Sequence, residues 1–178
     1  MAQSFTVKTN LDQVLPQLDA LTKRAIDLKP LYQDIGEALK IQIDTFFKTG
    51  IGADGQPWQQ NSFATVQAYI KQRGGYTANG SLNKRGVQLS TSKKVLQGIT
   101  GDLRRGVYWQ ATQDALTLGN QTPYAAIHTW GGKFKAWGKT DLIMPARPFM
   151  PVDIDGKLYP AAQAIIQRRL NQHLSTLA

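Results

Sequence analysis

The sequence predicts an α+β fold: N- and C-terminal helices packed on a small, mainly antiparallel sheet, with a long Gly-rich basic loop. Three observations carry that expectation. Apolar residues recur at helical spacing near both ends of the chain. Val107, Trp109 and Ala111 alternate with polar neighbours, as do Leu116 and Leu118, which is the pattern of a half-buried hairpin. Residues 73–92 hold four glycines and almost no periodicity. A chain of 178 residues fits a single domain, 1–178, and is long enough to bury a sizeable core.

Leu11, Val14, Leu15, Leu18 and Leu21 predict a first helix over about 10–27, kinked or delayed by Pro16. Pro30 can open a second helix, with Leu31, Ile35, Leu39, Gln42 and Phe46 on one stripe and Ile43 and Phe47 beside it. Thr49-Gly50 closes it. Residues 53–58, ADGQPW, form a turn that delivers Trp58, either as an aromatic plug over the helical layer or as a partner anchor. Ser62 can cap a helix over 63–72 with Phe63, Val66 and Ile70 inward. Residues 73–92 then read as a mobile loop.

Thr100 can cap a single turn that sets Leu103 on the core and Arg104 and Arg105 outward. The hairpin follows, its strands joined by Thr112-Gln113-Asp114 and its apolar face on the helices. Pro123 suits the first position of a short helix, on which Tyr124, Ile127 and His128 share a face. Gly131 and Gly132 end it. A basic-aromatic loop containing Trp137 leads to Pro145 and Pro148, which bracket Ala146 and Arg147 and present Arg147 and Phe149 on stiff, extended backbone. Leu158, Ala162, Ile165, Ile166 and Leu170 mark a C-terminal helix over about 157–174.

The net charge of +9 is unevenly placed. Residues 1–54 carry six Lys/Arg against seven acids, whereas residues 71–105 carry eight against Asp102 alone. The candidate basic patch is Lys84, Arg85, Lys93, Lys94, Arg104 and Arg105. Such a field attracts nucleic acid or an acidic protein, or it is simply a solvated surface. The segment lacks a recognition helix and its one aromatic is Tyr76, so only non-specific contact with DNA is expected.

The chain has no cysteine, one glutamate (Glu37) and two histidines, His128 and His173, far apart in sequence. No run of His, Asp and Glu has metal-ligand spacing. There is no G-x-S-x-G elbow and no phosphate-binding loop of the G-x-x-x-x-G-K type. No catalytic residue, metal or cofactor is expected. The first ten residues lack an apolar signal core, and no window approaches the ~20 apolar residues that span a bilayer, so an unexported protein without membrane contact is expected.

What remains are candidates for partner contact: Trp58, Tyr124, His128, Trp130, Trp137, Arg147 and Phe149. Four signatures occur in order: ADGQPW (53–58), VLQGITGDL (95–103), PYAAIHTWGG (123–132) and MPARPFM (144–150). In this order the chain resembles, over about residues 30–175, the virion morphogenesis or tail-completion family of Mu-like and related long-tailed phages. That resemblance implies a structural protein of the virion, at the head-proximal end of the tail where tail and filled capsid join. It implies other tail and neck proteins as partners, with a hexameric ring matching the sixfold tail. The rivals are a nucleic-acid-binding protein using residues 71–105 and a transient assembly chaperone. The Gly-rich stretch at 73–92 is longer than the family core needs, and Thr129 precedes Trp130 where a glutamine is usual.

Overall fold

The computed structural model describes residues 27–98, 100–136 and 140–175. The helix expected over about 10–27, apart from its last residue, and Trp137 lie outside the described residues. The spine is α1 (Lys29–Thr49), which carries Pro30 in its first turn, where the missing N–H costs nothing. Gly50 caps its far end at φ 74°, donating its N–H to the Phe46 carbonyl at 2.8 Å. Leu31, Ile35, Leu39, Ile43, Phe46 and Phe47 are buried along it, as the 3.6-residue period requires.

Two hydrophobic clusters share this helix. Leu31, Ile35 and Leu39 meet Ala162 and the half-buried Ile165, Ile166 and Leu170 of the C-terminal helix, Pro160–Ser175. Ile43, Phe46 and Phe47 meet Ala53, Trp58, Leu103, Val107, Ala125 and Phe149. The hairpin β1 (Val107–Ala111) and β2 (Leu116–Asn120) pairs antiparallel with Trp109 opposite Leu118 and Ala111 opposite Leu116. Its apolar face lies on α1 so closely that a Cβ on Gly36 would stand 2.7 Å from the Trp109 ring.

The α+β class holds, with two departures in detail. The strands form two separate two-stranded sheets rather than one. The second is β3 (Gly132–Ala136) with β4 (Thr140–Met144), built from what reads in sequence as a basic-aromatic loop. Its register sets Phe134 opposite Leu142, Lys133 opposite Ile143 and Lys135 opposite Asp141.

The second departure is the expected loop at 73–92. Helix α2 (Phe63–Gln72) is capped as anticipated, the Ser62 hydroxyl accepting the Thr65 N–H at 3.2 Å. Ile70 is buried, but Phe63 is 77% exposed, because it opens the helix on the solvent side rather than facing inward. The chain then makes a tight turn, closed by a bridge between Tyr76 and Leu82. It enters a further helix, α3 (Lys84–Ser92), whose cap is Asn83 accepting the Gly86 N–H at 2.8 Å. Gly75 and Gly86 serve contact between backbones, while Gly74 and Gly80 take the positive φ of the turns. A Cβ on Gly86 would lie 2.0 Å from the Gly75 carbonyl oxygen.

A single turn, α4 (Asp102–Arg105), buries Leu103 as expected, though its cap is Gly101 at φ 68° and not the Thr100 side chain. The short helix α5 (Ala125–Trp130) begins after Tyr124, so Pro123 precedes the cap instead of opening the helix. The C-terminal helix is α6, entered through a turn in which the Asp153 carboxylate accepts the N–H groups of Asp155 and Lys157. No helix among the described residues is long and apolar enough to cross a membrane.

Candidate functional site

Seven residues suggested themselves as partner contacts, and the fold divides them. Trp58 is 3% exposed and Phe149 is fully covered. Their rings flank Phe47 at centroid distances of 5.4 and 5.2 Å. The Pro148 carbonyl draws both inward, accepting from the Trp58 indole Nε1 at 3.1 Å and from the Ala53 N–H at 2.9 Å. The proline-stiffened segment therefore delivers its aromatic to the core, not to a neighbour, and Trp58 is the plug. Arg147 is also buried, at 6% exposure, where burial disfavours its charge and lowers its pKa. Its Nε and Nη2 donate to the carbonyls of Gln59 and Gln60 at 2.9 and 3.2 Å, tying the segment before α2 to the segment after β4.

Tyr124, His128 and Trp130 stay at or near the surface of α5. Tyr124 and Trp130 are 43% and 37% exposed, and the Trp130 indole donates to the Val152 carbonyl at 3.3 Å. Tyr124 stands edge-on to the His128 ring, 5.8 Å between centroids. His128 is half-buried, and its Nδ1 is a buried atom without a hydrogen-bond partner. Desolvation first, and the charge of Arg147 second, push its pKa below the usual 6.5.

Tyr124, His128 and Arg147 line a cavity of about 580 Å³, which Trp130 does not border. Its floor and sides come from Gln59 to Ser62, from Lys93 and Leu96 to Gly98, from Tyr124 and His128, and from the Phe134, Leu142 and Ile143 face of the second hairpin. Lys93 joins the site from the predicted basic patch. Its ammonium donates to the Lys94 and Gln97 carbonyls and sits 5.1 Å from the Tyr69 ring. Burial, then Arg147 and Arg73, lower its pKa.

The rest of the patch is not brought together. Lys84 and Arg85 open α3, while Lys93 and Lys94 follow its end, roughly 13 Å away at 1.5 Å per residue. That exceeds the ~8 Å screening length at physiological salt. Arg104 is committed to Asp44, Nε to Oδ1 at 2.8 Å, and Arg105 is left exposed. The Arg104 bond holds the Asp44 carboxyl below its ordinary 3.8. A depressed carboxyl pKa contributes stability above the unfolded value and loses it as pH falls through the folded one. Asp44→Asn should thus cost under ~1 kcal/mol at pH 7, because both side chains are more than a third exposed. The difference from wild type should begin to shrink as the pH falls below ~4 and vanish only once Asp44 is protonated in the folded protein as well. Urea melts at pH 7 and at pH 3 check both points.

Among the described residues no group of three or more His, Asp or Glu is placed to hold a metal. Sequence reasoning missed the Gln59–Ser62 wall, the Lys93–Gly98 wall and the hairpin face. Only the alternation Lys133, Phe134, Lys135 could have signalled the last.

The family model described as the phage virion morphogenesis family matches residues 9–175, nearly the whole chain. No curated protein and no solved structure matches it. The ordered motifs and the match across both cores agree, and the chain belongs to the phage virion morphogenesis family.

Proposed function

We propose that the protein is a noncatalytic structural subunit at the head-proximal end of the phage tail, completing the tail and mediating its joining to the filled head. The family match over residues 9–175 carries this reading, and the four ordered motifs support its finer part. In it the subunits form a ring, six copies matching the sixfold tail, within the virion at the head–tail junction after assembly in the host cytoplasm. Closed rings arise when one surface meets a different surface of the next copy. Tyr124, His128 and Trp130 on α5 form the contact face in this reading, with tail and neck proteins as neighbours.

The nucleic-acid-binding alternative has less support. The cations of residues 71–105 are spread over the end of α2, the two ends of α3 and α4; Arg104 is paired with Asp44, and Lys93 is half-buried. Disrupting the gene should leave filled heads and finished but separate tails, visible by electron microscopy, with infectivity restored by the gene in trans. Normal infectivity without the protein would overturn the reading, as would tails that never polymerise. A particle reconstruction with a single copy at the joint would refute the ring.

A further inference from the structure

The cavity beside α5 gathers positive charge that no ion pair among the described residues balances. Arg147, buried, donates to two carbonyls and, through Nη1, to the Met144 sulfur at 3.8 Å; among the described residues it has no ion pair. A guanidinium has five N–H groups, so donors remain. Among the described residues Lys93 likewise meets only carbonyls and a ring face. His128 adds a buried ring nitrogen without a partner. The single acid among the described lining residues, Asp102, is exposed and accepts from the Thr100 hydroxyl at 2.5 Å. Buried charges in proteins are ordinarily paired. Here the missing partner is an anion.

The walls say which kind. Leu96, Phe134, Leu142 and Ile143 are apolar and line the same space. A duplex is stiff and convex, and its phosphates cannot follow a recess to a guanidinium that is 6% exposed. A carboxylate on a short side chain can, and apolar residues on either side of it would lie against the walls. We propose that this cavity binds an extended acidic–apolar segment of a partner protein. Arg147 and Lys93 take its carboxylate, and His128 faces the same charge. The proposal rests on the reading that the protein's neighbours in the particle are proteins.

The test uses the full-length protein and a fluorescein-labelled octapeptide of alternating leucine and aspartate, with its asparagine counterpart as control. Anisotropy should show the aspartate peptide binding at least tenfold tighter, since charge-assisted hydrogen bonds are about twice as strong as neutral ones. Lys93→Gln, on a half-buried side chain outside the core clusters, should weaken it about fivefold at a temperature where the melting curve shows the variant fully folded. His128 supplies a readout that mere stickiness would not move. The charged groups around it are Arg147, Lys93 and Asp102, with Tyr124 against its ring. An anion among them offsets the field of Arg147, so the aspartate peptide should raise the His128 titration midpoint by NMR and the asparagine peptide should not.

Equal affinity for the two peptides would overturn the proposal, as would a His128 midpoint that does not move. So would inorganic phosphate or a 20-base-pair duplex displacing the peptide and shifting His128, which would assign the cavity to phosphate or DNA. Peptide binding beside normal infectivity of a gene disruption would sink the joining role and keep the pocket. Separate heads and tails without peptide binding would do the reverse.

Discussion

Phe149→Ala should unfold the protein at a markedly lower denaturant concentration, with a loss of about 3–5 kcal/mol. The ring is wholly covered and packs against Phe47 at 5.2 Å. Removing it leaves a cavity bounded by α1, Trp58 and Ala125, in a cluster whose members come from five separate segments and cannot all collapse inward. Against a typical total of about 5–15 kcal/mol, that is a large share. Phe149→Leu, which keeps most of the volume, should lose clearly less. Urea melts monitored by the tryptophans measure both, an unchanged m-value showing that stability alone has moved. A loss below about 1 kcal/mol would return Phe149 to the partner surface that its proline frame suggests.

Gly86→Ala should disrupt the α2–α3 pair although the change adds one methyl group. Alanine favours helix by about 0.5–1 kcal/mol over glycine, so propensity alone predicts a gain. The contact decides otherwise. The new Cβ would lie 2.0 Å from the Gly75 carbonyl oxygen and 2.9 Å from its carbon, both main-chain atoms that cannot rotate away. Overpacking costs about 1–3 kcal/mol even where side chains can yield, so a net loss of about 2 kcal/mol or more is expected. Hydrogen exchange should show residues 63–92 opening while α1 and β1–β2 stay protected. Gly80→Ala is the control: its φ of 77° is unfavourable, but nothing lies within 4 Å, so it should cost only about 1 kcal/mol. Equal exchange in the Gly86 variant and wild type would show that the two backbones do not touch in solution.

The two outer helices and the first hairpin were legible because their signals are local. Pro30 and Gly50 punctuate α1, and its stripe runs unbroken from Leu31 to Phe47. The second hairpin was not, because β3 holds one large apolar residue, Phe134, between lysines, and β4 sets Leu142, Ile143 and Met144 in a row without alternation. Glycine misled at 73–92 for a definable reason. The residue that permits motion also permits the closest approach, and only the partner backbone distinguishes the two. The candidate site was half visible. Tyr124 and His128 are close in sequence, whereas Arg147 reaches Gln59 across 88 residues, and Trp58 turns inward through a carbonyl 90 residues away. No periodicity reports such a bond.

Helix α1 belongs to both hydrophobic clusters, and that has a consequence for how the sequence can drift. Leu39 packs in the cluster with α6 and Ile43 in the aromatic cluster, and the two lie one turn apart on the same face, so a shift of α1 that accommodates a substitution at one is felt at the other. The α2–α3 pair answers mainly to itself: Ile70 is its buried anchor and belongs to neither cluster. Substitutions can therefore accumulate on the exposed faces of α2 and α3 while α1 stays nearly fixed.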